Sequence, residues 1–174
     1  MINFRALVCL FFGFCLIGCA AAPLPTTYTV YLTRHFEKAK LVKDPELTAR
    51  GLRQAEVFAS LLDNKPISTI YSTDYRRTIQ SASALASALN QSIQKYNPRE
   101  PEVLIARVFN NASDQVVVGH SNTIPDLVNR LGGKSQAIAE SEYGVVFAVS
   151  ITLLDGVRID TSTREILLLE GISE

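Results

Sequence analysis

The whole chain holds two histidines, His35 and His120. Each follows directly on a run that reads as a β-strand. Tyr28 to Thr33 (YTVYLT) leads into Arg34-His35, and Gln115 to Gly119 (QVVVG) delivers His120. In α/β folds ligands sit outside the carboxyl ends of the strands, so two strand-end imidazoles can face one crevice. Arginines accompany them. Arg34 precedes His35, and Arg76 and Arg77 fall in the first turn of a helix expected after Asp74. A cation there opposes the helix dipole at a cost of roughly 0.3–1 kcal/mol, and an anion offsets it. Arginine forks match phosphate oxygens, and helix N-termini offer free N–H groups to anions. A pocket built of these groups points to a phosphoryl group.

The elements that must position these side chains follow from the hydrophobic pattern. Phe36 to Glu46 is charged, holds Pro45 and reads as a loop. Thr48 is a candidate N-cap for a helix to about Asp63, with Leu52, Ala55, Ala59 and Leu62 as its apolar stripe. Pro66 breaks the chain before a strand over Ile67 to Tyr71. Asp74 is expected to cap a helix to about Leu89, with Ile79, Ala82, Ala86 and Leu89 on one face. A short strand over Ser92 to Lys95, a loop from Tyr96 to Pro101 and a helix over Glu102 to Asn110 follow. The QVVVG run is apolar throughout, as strands buried inside a parallel sheet are. Thr123 caps the next helix, which has Pro125 and Asp126 in its first turn and closes at Gly132. Val145 to Leu154 and Arg164 to Leu169 read as strands, with Asp155-Gly156 as a turn between them. No long helix separates these two, so at least one antiparallel edge is expected. The alternation predicts an α/β three-layer sandwich, a mostly parallel central sheet with helices on both faces.

Composition narrows the classes. The chain has 174 residues, enough for one domain with a sizeable core. Seventeen basic residues balance seventeen acidic ones, so no basic excess marks a nucleic-acid surface. The N-terminus differs from the rest. Arg5 precedes thirteen apolar, uncharged residues, Ala6 to Gly18. That run is short of the roughly 20 residues of a membrane-spanning helix and reads as a secretory signal. Its exit, Leu16-Ile17-Gly18-Cys19, resembles the bacterial lipobox. The resemblance implies cleavage after residue 18, acyl chains on Cys19 and a stable membrane anchor. A plain signal cleaved near Ala20 to Ala22 is the competing reading. The organisation expected is a signal peptide over 1–18, a lipidated cysteine and tether over 19–27, and one domain over 28–174. The location implied is the bacterial cell envelope, at the outer membrane facing the periplasm. All three cysteines, Cys9, Cys15 and Cys19, lie in this leader, so the mature domain has no thiol to mispair or to ligate a metal.

Four blocks carry a closer resemblance. Leu32 to Lys38 (LTRHFEK) resembles the Arg-His motif of the histidine phosphatase superfamily, the phosphoglycerate mutase-like or branch 1 group. Leu47 to Leu52 (LTARGL) is similar to its Leu-Thr-x-x-Gly helix start. Tyr71 to Ala82 resembles its second arginine motif, and Val117 to Pro125 its second histidine motif. The blocks stand in the family's order. The resemblance implies a phosphoglycerate mutase-like fold and a phosphohistidine on His35. It implies that Arg34, one of the Arg76-Arg77 pair and a protonated His120 hold the phosphate. Counting back from Ser81 favours Arg77, and counting forward from Ser72 favours Arg76. The family's general acid has no clear counterpart, and Glu37, Glu100 and Asp126 are the candidates. Phe36 stands where many members have Gly or Ala, which is expected to wall or narrow the pocket mouth. No cofactor and no metal are implied. The expected activity is metal-independent phosphomonoester hydrolysis of a small phosphorylated substrate, rather than a mutase, which needs more enclosing chain. The alternative is a lipid-anchored module that binds phosphate or a phospho-ligand without turnover.

Overall fold

A computed structural model describes residues 23–40 and 43–168. The expected signal peptide and Cys19 lie outside these residues. The chain forms β1 (Thr26–Arg34), α1 (Ala49–Leu62), β2 (Thr69–Ser72), α2 (Arg76–Ala88), β3 (Ile93–Lys95) and α3 (Pro101–Asn111). It continues with β4 (Gln115–Gly119), α4 (Ile124–Arg130), β5 (Val145–Leu154) and β6 (Val157–Leu167). The six strands make one sheet in the order β3-β2-β4-β1-β5-β6. The β3-β2, β2-β4 and β4-β1 pairs are parallel, whereas β5 runs antiparallel to both β1 and β6.

Strand alternation sorts the core into two layers. Tyr28, Val30 and Leu32 of β1 and Val117 of β4 face α3 and α4, where Leu104, Val108, Ile124, Leu127 and Val128 are buried. Tyr31 of β1 and Val116 and Val118 of β4 face α1 and α2, against Phe58, Leu62, Ala82 and Leu85. The three-layer sandwich follows, with helices on both faces.

Several details differ from the sequence reading. β1 begins at Thr26, because Thr26 and Thr27 pair with Leu153 and Thr152 of β5, so the tether ends earlier than residue 27. Of the expected α1 stripe, Ala55, Ala59 and Leu62 are buried but Leu52 is exposed; Gly51, Gln54 and Phe58 complete the buried face. On α2 the buried face is Thr78, Ser81, Ala82, Leu85 and Ala86, leaving Ile79 and Leu89 half-buried. Asp74 does not cap α2. It pairs with Lys95 at 2.7 Å, and the Arg76 N–H donates to the Asp44 carboxylate at 3.2 Å. Strand β6 starts at Val157 rather than 164, through a polar stretch that only an edge position tolerates. Asp155 and Gly156, both at positive φ (51° and 76°), make the tight turn before it.

Thr48 does cap α1, its Oγ1 accepting from Gly51 N at 3.0 Å. Gly51 matters for a second reason. A Cβ there would lie 2.1 Å from the carbonyl oxygen of Glu37, two residues after His35. The helix start thus rests directly on the backbone that leaves the first histidine. Gly51→Ala is expected to cost about 1–3 kcal/mol or more, the range for overpacking a close contact. Thermal unfolding checks this; an unchanged melting temperature would contradict the packing described.

Candidate active site

The register of β1 on β4 builds the site. Arg34 lies opposite Gly119, so the chain places His35 and His120 side by side at the next step. His35 N donates to the Gly119 carbonyl at 2.8 Å, which ties the two strand ends together. The imidazole centroids are 5.7 Å apart. Both rings line one cleft of about 370 Å³ at the carboxyl ends of these strands, with Arg77, Tyr75, Ser121 and Glu140.

Hydrogen bonds set the tautomers. His35 Nδ1 lies 2.8 Å from the Phe36 carbonyl, which can only accept. Nδ1 therefore carries the proton, and the neutral ring keeps its lone pair on Nε2. Thr78 Oγ1 donates to the Thr73 and Tyr75 carbonyls and accepts from Thr73 Oγ1 at 3.0 Å. Thr73 Oγ1 is left to accept from His120 Nε2 at 3.0 Å. That leaves His120 Nδ1 toward Arg77 Nη2, 3.5 Å away. Thr123 completes the mount, its Oγ1 accepting from His120 N at 3.1 Å.

Burial keeps both imidazoles neutral. His35 is 3% exposed, and burial pushes it down to about 3, helped by the Arg34, Arg77 and His120 charges against the Phe36 hydrogen bond. His120 is pushed down to about 4 by burial, then by Arg77 and Arg34. A neutral His35 is the nucleophilic form. Without an anion in the cleft, burial and the two arginines therefore favour the neutral form of His120.

The two arginines of the second motif part company. Arg77 lines the cleft, its guanidinium stacked 4.6 Å over the Tyr75 ring. Arg76 points away and pairs with Glu46 on the surface. Arg34 is wholly buried and does not form the cleft surface. Its Nη1 donates to the Ala139 and Glu142 carbonyls at 2.7 and 2.9 Å, and its Nη2 pairs with Glu140 at 3.3 Å. Among the described residues, the buried Nε atoms of both Arg34 and Arg77 have no hydrogen-bond partner. Of the two, only Arg77 lines the cleft, where its guanidinium can meet an oxyanion.

The carboxylate candidates all sit elsewhere. Glu37 accepts from Thr48 Oγ1 at 2.9 Å and pairs with Arg50 at 3.2 Å, anchoring the start of α1. Asp126 pairs with Arg130 within α4. Glu100 lines a neighbouring cavity and accepts from Asn97. Phe36 is fully buried against Phe58, so it supports the floor from behind and does not wall the mouth. The carboxylate that does line the cleft is Glu140, between α4 and β5. It accepts from Ser121 Oγ, and this hydrogen bond, with Arg34, holds its acid form below the usual range. Among the described residues no cluster of three or more His, Cys, Asp or Glu side chains could hold a metal ion.

Residues 30–98 match the model of the histidine phosphatase superfamily, branch 1. The fold is similar to that of a mycobacterial glucosyl-3-phosphoglycerate phosphatase, with TM-score 0.62 at 14% identity over 81% of this chain and 98% of that one. It is similar to the protein histidine phosphatase SixA complexed with tungstate, with TM-score 0.61 at 16% identity over 76% and 95%. A phosphoglycerate mutase from Bacillus anthracis follows, with TM-score 0.59 at 14% identity over 77% and 91%. No curated protein sequence matches the chain. At these identities the likeness to the solved structures is one of fold.

Two outcomes are expected from this geometry. The unfolded chain protonates its histidines near 6.5, above both folded values. Stability should therefore fall as the pH drops from about 6.5 toward 4 and 3, because unfolding takes up protons there. Urea titrations across this range check it, and His35→Gln should remove about one proton from the slope. The second concerns Glu140, the carboxylate that lines the cleft beside both imidazoles and repels an anion there. Glu140→Gln should tighten binding of inorganic phosphate a few-fold, as removal of a competing anion does; calorimetry reads the change directly.

Proposed function

We propose that this chain, a member of the histidine phosphatase superfamily (branch 1), is a phosphomonoester hydrolase that works through a phosphohistidine on His35. The observation that carries the reading is the pair of imidazoles 5.7 Å apart that line one cleft with Arg77. A phosphomonoester dianion repels nucleophiles. Arg77, Arg34 and a His120 protonated by the anion's own field neutralise its oxygens and hold charge in the transition state. His35 Nε2, unprotonated and anchored through Nδ1, attacks phosphorus. The N–P bond forms as the P–O bond to the leaving group breaks. Water then cleaves the N–P bond and returns phosphate. The Ser121 hydrogen bond and Arg34 favour the ionised form of Glu140, which has no proton to give, so substrates with acidic leaving groups, such as aryl phosphates, should turn over fastest.

Hydrolysis rather than mutase chemistry is part of the same reading. Lipidation at Cys19, export and an envelope location belong to the same proposal and rest on the leader sequence alone.

Turnover of p-nitrophenyl phosphate tests the reading. His35→Ala should reduce it to background. Arg77→Ala should lower kcat/KM by about 10²–10³-fold, the usual loss for one oxyanion donor. Arg76→Ala, outside the cleft, should stay within a few-fold of the wild type. Equal rates for the wild type and His35→Ala would leave the module that binds phosphate without turnover as the better account.

A further inference from the structure

A second cavity, of about 580 Å³, lies against the catalytic cleft, and the chemistry above makes no use of it. Tyr75, Pro98 and Arg99 line both. Tyr75 stands at the border, its ring packed on the Arg77 guanidinium and 5.2 Å from the His120 ring. A leaving group whose phosphate sits between the imidazoles therefore passes Tyr75 and enters this space. The walls are of two kinds. Tyr96, Val103 and Leu104 supply apolar surface. Lys95, Arg99 and Arg107 supply three cations, against the carboxylates of Asp74 and Glu100.

The charges do not cancel. Lys95 is spent on Asp74 at 2.7 Å. Glu100 takes a hydrogen bond from Asn97 Nδ2 at 2.9 Å and, among the described residues, has no ion pair. The Arg99 backbone N–H donates to Asn97 Oδ1. Among the described residues, neither Arg99 nor Arg107 has a side-chain hydrogen bond or ion pair with a carboxylate. Two solvent-exposed guanidinium groups thus line a space of mixed polar and apolar walls that opens beside the phosphoryl site, and guanidinium prefers a planar or tetrahedral oxyanion.

We propose that this cavity seats the leaving group and that the leaving group carries a second anion, a carboxylate or a phosphate, held by Arg107 together with Arg99. The inference rests on the phosphomonoesterase reading above. It defines the substrate class as a phosphomonoester with an apolar spacer and a distal negative charge. Glu100 sharpens the choice by repelling that charge from one side, so that it settles at the arginines.

Matched para-substituted phenyl phosphates test this, because their phenol leaving groups are electronically alike. One tail is propyl, one 2-carboxyethyl, one 2-phosphonoethyl and one 2-aminoethyl. The wild type should prefer either anionic tail over propyl by about three- to tenfold in kcat/KM, mainly through KM, and should disfavour the cationic tail. The better of the two anions identifies the tail. Arg107→Gln should erase the preference. Glu100→Gln should enlarge it, and Val103→Glu, at an exposed helix position, should reverse it. His35-dependent turnover of all four tails at equal kcat/KM would overturn the subsite and leave the phosphatase reading intact. A preference untouched by Arg107→Gln would do the same. No His35-dependent turnover of any tail would overturn the phosphatase reading and the subsite with it.

Discussion

Parallel pairing of β1 with β4 carries the rest of the structure. The two strands come from opposite halves of the chain, and their register sets Arg34 beside Gly119. The bond from His35 N to the Gly119 carbonyl extends that ladder by one step, past the last paired residues. Everything chemical follows from it. Side chains one step beyond two paired strand ends emerge together, above the sheet edge and outside the packed layers. The helices keep the pair in place: α1 rests on the Glu37 backbone through Gly51, and α2 carries Thr78, which anchors the Thr73 hydroxyl under His120.

Placing two imidazoles and two guanidiniums in a buried cleft is electrostatically costly, and the protein spreads that cost. Desolvation favours neutral imidazoles, so positive charge at the site comes from the arginines and from Lys38 at the cleft wall. Arg34 is held by the Ala139 and Glu142 carbonyls and by Glu140, an acid from the irregular segment before β5. Asp44 and Glu46 answer the helix-dipole conflict at the start of α2, Asp44 on the Arg76 N–H and the Arg77 guanidinium, Glu46 on Arg76. Part of the anion demand read from the sequence is thus met internally. Among the described residues, the buried Nε donors of Arg34 and Arg77 are left without a hydrogen-bond partner.

The histidine pair was legible because each residue ended a recognisable strand, and strand ends of a parallel sheet converge. The layer architecture was legible for the same reason, as the β/α alternation leaves few ways to bury the apolar faces. Which of Arg76 and Arg77 faces the cleft was not, since adjacent helical residues point about 100° apart and only the docking of α2 decides. Glu140 escaped notice because its partner Arg34 is 106 positions away and its segment has no periodic pattern. Phe36 was misjudged because a residue beside a catalytic group was assumed to share its cleft, whereas backbone alternation turns it into the core. The first half of β6 was missed because an edge strand needs no apolar face along its whole length.

The account's central claim is a covalent bond between phosphorus and His35. Rapid mixing with p-nitrophenyl phosphate, alkaline quench to preserve an acid-labile phosphoramidate, and mass spectrometry of the resulting peptides test it most directly. One phosphoryl group on the peptide holding His35, formed at the rate of the nitrophenolate burst and missing in His35→Ala, is the predicted result. Burst kinetics with the label on His120, or steady turnover with no labelled histidine at any time point, would contradict it.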